Sequence, residues 1–254
     1  MLSLLGVEVP DKPRLRELKQ NTMLPLLALP TGVGKRQRSL RLGLQDGDRT
    51  LNANGEPDTT LPNRAALLRQ FRPEEFLALC TFGVADALQE ALVEGRDVAF
   101  ALDGDELVGA AEIALPGQGL WLSSLRDEWQ TPLTGSTREK LDARKTVKIE
   151  YACSAGGLSD DNPRRRKGVG RMLLEVAKGH VERTLVGPAV DDMSRAGWGP
   201  DTEKREWVRA RTFFVLSSLD EAVDAWQHLG FQRIAAWYDI LVTMYRPVFP
   251  QGKY

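Results

Sequence analysis

An apolar run of strand character, Val147 to Cys153, is followed by Arg165-Arg166-Lys167-Gly168-Val169-Gly170 and then by the helical-looking stretch Arg171 to Lys178. This junction constrains the fold more than any other stretch, because it asks a strand to end beside the start of a helix. The first backbone N–H groups of a helix have no intrahelical acceptor, and the helix dipole adds partial positive charge at the same place. Glycines there let the backbone come close to a ligand, and Arg164 to Lys167 add four cations. A turn of this kind is suited to phosphate. The plain alternative is a solvated basic turn leading into a helix.

Composition limits what else the chain can be. Its 254 residues, 42% of them hydrophobic, suit one large domain or a domain with an appendage. Lys and Arg number 34 against 35 Asp and Glu, so overall charge gives no reason to expect direct nucleic-acid or membrane binding. Only Cys80 and Cys153 occur, both in apolar segments. They read as two buried reduced thiols, which favours a cytoplasmic setting. The start, Met1-Leu2-Ser3-Leu4-Leu5-Gly6, has neither the basic region nor the apolar length of a signal peptide.

Residues 1 to 62 carry Pro10, Pro13, Pro25, Pro30, Pro57 and Pro62, and read as an extended, irregular N-terminal arm whose apolar side chains lie on the chain's own domain or on a protein partner. Residues 63 to 254 read as the folded domain. From Pro73 a helical pattern places Phe76, Leu79, Cys80, Val84, Ala87, Leu88, Ala91 and Leu92 on one face, and Gly95 ends it. Val98 to Leu102 and Leu107 to Leu115 flank Asp103-Gly104-Asp105 and read as a hairpin. Residues 116 to 145 and 185 to 207 read as insertions. Val147, Ile149, Tyr151 and Cys153 alternate with Lys148, Glu150 and Ala152, as in a strand. Thr212 to Ser217 reads as a buried strand, and Ser218 to Glu221 as a capping box opening a short helix that Gly230 stops. Phe231 to Ala236 and Ile240 to Tyr245 close the pattern as strands.

The order hairpin, strand, Arg-x-x-Gly-x-Gly, helix, strand, short helix ending Leu229-Gly230-Phe231, closing strands resembles the GNAT superfamily of acyl-CoA-dependent N-acetyltransferases. The resemblance covers roughly residues 64 to 247. It implies a mixed α/β fold with a mostly antiparallel twisted sheet, flanked by helices and splayed at the cofactor strand. It also implies acetyl-CoA as the acyl donor, held by Cys153 and Ser154 on that strand and by Arg165, Arg166, Lys167, Gly168, Val169, Gly170 and Arg171 around the pyrophosphate. The splay would lie between Lys148 to Ser154 and Thr212 to Ser218.

Acetyl transfer to an amine needs a base for the ammonium, a donor for the thioester carbonyl, and in many cases an acid for the departing thiolate. The resemblance implies Glu150 as base, with Glu112 as the substitute. The place of the usual tyrosine acid, four residues before Gly230, is held by Trp226, whose indole is no acid near neutral pH. Tyr238 is the candidate acid, with Tyr245 beside it as an alternative, and the thiolate can also leave unprotonated. His228 points to another side of its helix. The expected function is transfer of an acetyl group from acetyl-CoA to a primary amine, on a small molecule or a protein, within a ternary complex. The alternative is a GNAT-derived structural protein acting in a larger assembly.

Other motifs fail. Thr31 to Arg36 resembles a P-loop, but Leu29 and Arg36 stand where glycine and Ser or Thr are needed. His180, His228 and two isolated cysteines give no zinc spacing, so no metal is expected. Trp198, Trp207, Trp226 and Trp237 lack an accompanying basic register for stacking bases.

Overall fold

The computed structural model describes residues 40–71, 84–116, 146–154, 168–237 and 241–250. All of them belong to one compact unit, residues 38–254. The helix turns expected between Pro73 and Gly83, the insertion 116–145 beyond its first residue, and Arg164, Arg165, Arg166, Lys167 and Tyr238 lie outside the described residues.

The described strands are β1 (Arg41–Asp46), β2 (Arg49–Asn52), β3 (Val98–Asp103), β4 (Glu106–Ala114), β5 (Thr146–Ser154), β6 (Phe213–Leu219), β7 (Gln232–Trp237) and β8 (Leu241–Pro247). They form one sheet in the order β2-β1-β3-β4-β5-β6-β8-β7. Every neighbouring pair is antiparallel except β5 and β6. The described α-helices are α1 (Arg64–Gln70), α2 (Val84–Val93), α3 (Val169–Val181), α4 (Gly187–Arg195), α5 (Asp201–Arg209) and α6 (Val223–His228).

Strand periodicity sorts side chains onto two faces. On β3, Ala99 and Ala101 join the core under α3, while Val98, Phe100 and Leu102 join the core under α1 and α2. The α3 layer adds Leu173, Val176 and Ala177 over Leu44, Val108, Val147, Phe214, Leu216 and Met244. The other layer packs Leu67 of α1 and Leu88 and Leu92 of α2 on Phe100 and Leu107. Burial of a side chain such as Phe100, fully enclosed, stabilises by about 2–3 kcal/mol. The helix capped by Asn63, whose Oδ1 accepts the Ala66 N–H at 3.0 Å, precedes the expected helical pattern.

Three expectations need correction. Part of the segment read as an irregular arm is sheet: Leu42, Leu44 and Leu51 lie in a β1–β2 hairpin turned at Gly47-Asp48. Its prolines, Pro57 and Pro62, fall after the strands, so nothing in residues 41 to 52 opposes pairing. The capping box at Ser218 does not form. β6 runs through Ser218 because Ser218 and Leu219 pair with Val242 and Leu241, and the Ser218 hydroxyl donates to the Leu219 carbonyl at 2.8 Å. Cys153 is disulfide-bonded, not a free thiol; the sequence holds one other cysteine, Cys80, outside the described residues.

The insertion 185–207 is helical. α3 continues through a π-helical segment, Glu182–Val186, into α4, with Pro188 in the first turn of α4. Glu182 ties α5 back to this segment: Arg209 Nε and Nη2 donate to it at 2.9 and 2.8 Å and Arg205 Nη1 at 2.5 Å. Burial alone would push the Glu182 carboxyl up, but the hydrogen bonds from Arg209 and Arg205 outweigh it and hold the group below its ordinary range.

Candidate active site

The parallel ladder between β5 and β6 is short. Thr146, Val147 and Lys148 pair with Phe213, Phe214 and Val215, and the pairing stops there. β5 runs on for six residues, still paired with β4 through Ala152, Cys153 and Ser154. β6 runs on to Leu219, paired with β8. Each strand follows its outer neighbour, so the two diverge past Lys148 and Val215 and leave an opening in the middle of the sheet.

The start of α3 stands at the far end of β5. Ser154 pairs with Gly109 of β4, and Val169, the first residue of α3, is buried against Gly109. A Cβ on Gly109 would overlap Val169 Cγ1, so the glycine permits the close approach of helix and sheet. Gly168 turns the chain with φ 87°, a left-handed conformation that favours glycine, and its carbonyl accepts the Met172 N–H at 3.0 Å. Among the described residues, no side chain caps this first turn. The backbone N–H groups of Val169, Gly170 and Arg171 precede the first intrahelical bond and form a donor cluster beside the end of the splayed strand.

An otherwise antiparallel sheet with one short parallel contact, a splay beyond it, and a glycine-opened helix at the end of the splayed strand satisfies the pattern drawn from the sequence. This arrangement resembles the GNAT fold that the sequence pattern suggested. No protein-family model matches the chain, and no curated protein sequence does. Among solved structures it is similar to a proposed GNAT-family acetyltransferase from Desulfovibrio desulfuricans (18% identity, 83% of this chain and 100% of that one, TM-score 0.40). It is also similar to an acyl-CoA N-acyltransferase from Pseudomonas aeruginosa (18%, 82% and 99%, TM-score 0.41) and to a Bacillus subtilis acetyltransferase in complex with CoA (15%, 82% and 99%, TM-score 0.35).

Beside this opening, charged and phenolic side chains gather on the α1/α2 face of β4 and β5. Between Ala111↔Ala152 and Ile113↔Ile149 the register shifts, so two β5 residues, Glu150 and Tyr151, stand opposite the single β4 residue Glu112. This bulge breaks the strict alternation expected for β5: Cys153 joins the α1/α2 core, away from Val147 and Ile149. Glu150 is ion-paired with Lys148. Glu112 is more deeply enclosed, its side chain 2% exposed, and Arg96 Nη1 donates to its Oε1 at 2.6 Å. Burial pushes the Glu112 carboxyl up to about 7, with Arg96 opposing and Glu150 adding to the shift. Tyr151 is 38% exposed, and its phenol is also pushed up, first by burial and then by Glu150 and Glu112.

The remaining candidates separate. Trp226 packs edge-on against Phe231 at 5.3 Å and backs the α3 core, so its indole serves packing. His228 is engaged through Nδ1 with the Asp224 carbonyl at 2.7 Å. The Tyr245 hydroxyl donates to Gln232 Oε1 at 2.9 Å, its ring against Phe213. Sequence reasoning missed Arg96 and Tyr151. The one available signal was a lone carboxylate, Glu112, inside the otherwise apolar run Leu107 to Leu115. Among the described residues, no helix is long and apolar enough to cross a membrane and no group of three or more His, Cys, Asp or Glu is placed to hold a metal ion.

Proposed function

We propose that the protein is an N-acetyltransferase that moves an acetyl group from acetyl-CoA to a primary amine by direct transfer in a ternary complex. The observation that carries this reading is the divergence of β5 from β6 beyond Lys148 and Val215, with the start of α3, which no described side chain caps, at the other end of β5. A pantetheine chain is a run of amides that needs strand-like partners, and a diphosphate needs clustered N–H donors. Cys153 and Ser154 belong to the strand that would pair with pantetheine. Gly168, Val169, Gly170 and Arg171, together with the neighbouring Arg165, Arg166 and Lys167 of the sequence motif, would hold the pyrophosphate.

Transfer needs no covalent enzyme intermediate. The ammonium loses a proton, the amine nitrogen attacks the thioester carbonyl, and coenzyme A leaves as a thiolate. Glu150 and Glu112 are the two carboxylates on the acceptor side, and Tyr238 is the proposed acid. The amine is carried by a small molecule or a protein, and the N-terminal arm is proposed to dock a protein partner. A second reading rests on Trp226 standing in the usual tyrosine place: the chain as a GNAT-derived component of an assembly, with weak or no turnover.

Calorimetric titration with acetyl-CoA separates these readings from a chain that does not bind it. The enzyme reading expects saturable binding with thermal stabilisation, lost in Gly170→Trp, whose Cβ would already stand 3.3 Å from Leu229 Cδ1. It also expects thiol release with at least one of a panel of primary amines. Absence of binding would overturn it, and binding without turnover would favour the assembly component.

A further inference from the structure

We infer that Glu112, and not Glu150, is the carboxylate that finally takes the proton from the acceptor ammonium, reached from the opening through one water at the Glu150–Tyr151 rim. This rests on the acetyltransferase reading and names the proton path within that site.

Three observations lead there. The first is the bulge: it presents Glu150 and Tyr151 side by side opposite Glu112, so the three polar groups meet on the α1/α2 face of the sheet. The second is a gradient of exposure, with Tyr151 at 38% overall and the side chains of Glu150 at 15% and Glu112 at 2%. The third is the state of each carboxylate's oxygens. Glu150 is committed to Lys148. Glu112 has Oε1 bound by Arg96, while its buried Oε2 has no hydrogen-bond partner among the described residues. A buried carboxylate oxygen without a donor is unfavourable by about 1–3 kcal/mol, and protonation removes that penalty by turning the group into a donor. Held by Arg96 at Oε1 and without a donor at the buried Oε2, Glu112 is suited to receive a proton.

The ionisation behaviour agrees with this geometry. Glu112 is pushed up to about 7, which divides it between proton-accepting and proton-holding forms near neutral pH. The charged and titratable groups facing it are Arg96 after α2, and Lys148, Glu150 and Tyr151 on β5. Glu90 of α2 also acts on Tyr151.

The step balances. An ammonium R–NH₃⁺ gives one proton to a water, which passes one of its own to Glu112. The amine lone pair forms the C–N bond as the C–S bond breaks. The departing thiolate takes a proton from the proposed acid, Tyr238, which recovers one as the nitrogen loses its second, and one hydrogen remains on the amide. Glu112 then returns its proton to solvent.

The test is the pH dependence of kcat/KM for thiol release by the whole chain, using acetyl-CoA and the best amine of the panel. The wild type should show an acidic limb with a midpoint near pH ~7, and Glu112→Gln should lose that limb together with about 100-fold or more of kcat/KM. Acetyl-CoA binding by Glu112→Gln, measured by calorimetry, should stay within about twofold, which shows the variant to be folded. Glu150→Gln removes a negative charge beside Glu112, so it should keep the limb and move it to lower pH; this arm stands even if Glu112→Gln fails to fold. A limb that vanishes in Glu150→Gln, or one that survives in Glu112→Gln, overturns the assignment while leaving the acetyltransferase reading intact. No thiol release by the wild type with any amine overturns both.

Discussion

Gly109 is the point at which the start of α3 is pressed onto the sheet, and replacing it with alanine tests whether that contact organises the site. A Cβ there would overlap Val169 Cγ1 and stand 3.3 Å from the Cys153 carbonyl oxygen and 3.4 Å from Leu173 Cδ1. Val169 is 1% exposed and β-branched, so a helix holds it near one χ1 rotamer and it has no room to turn away. The first turn of α3 must lift instead. Overpacking of this kind costs about 1–3 kcal/mol, and alanine returns about 0.5–1 kcal/mol through the unfolded chain, so a net loss of about 1–2 kcal/mol is expected. Val169→Ala alone should cost about 2 kcal/mol for two lost methyls and the space they leave.

In the double variant the new methyl at 109 occupies part of that space. The two losses should therefore sum to about 1–2 kcal/mol more than the double variant shows. Urea unfolding gives the four free energies of the cycle. Acetyl-CoA titrations should show weaker binding in Gly109→Ala and partial recovery in the double variant, because the N–H cluster of α3 moves with Val169. A Gly109→Ala protein as stable as wild type, or losses that simply add, would refute the argument.

Glu112 takes up a proton in the folded state as pH falls through about 7, whereas in the unfolded chain it does so only near its ordinary value of 4.5. Stability should therefore rise as pH falls from about 7 toward about 4.5, by about 2 kcal/mol once solvent screening is discounted, and urea midpoints of Glu112→Gln should lack this dependence. Asn63→Ala removes the acceptor for the Ala66 N–H and should cost about 1 kcal/mol in thermal or urea unfolding. Asp97 Oδ2 stands 2.9 Å from His180 Nε2, with side-chain exposures of 8% and 1%. Asp97→Ala strands the buried imidazole and should cost about 2–4 kcal/mol, measured the same way; a change below about 0.5 kcal/mol would show that the pair contributes little.

Where period and punctuation coincide, the fold was legible. Val98 to Leu102, Asp103-Gly104-Asp105 and Leu107 onward form the expected hairpin. The α3 pattern begins one residue before Gly170, and the short helix stops just before Leu229-Gly230. Proline density obscured β1 and β2, since it described residues 1 to 62 on average while residues 41 to 52 contain none. The pattern at Ser218 to Glu221 had the residues of a capping box, but pairing with β8 held Ser218 in the strand. Local preference for a cap is worth about 1 kcal/mol, and a strand ladder with a buried side chain outweighs it.

By itself, the amino-acid order decided that a strand ends near a glycine-opened helix, where unpaired backbone N–H groups gather. These are local properties, set by side-chain period and by the missing Cβ of glycine. The divergence of β5 from β6, the bulge that brings Glu150 and Tyr151 opposite Glu112, and the burial that raises Glu112 were decided only in three dimensions. Each depends on which strand lies beside which, and strand pairing and desolvation arise between residues far apart in the chain.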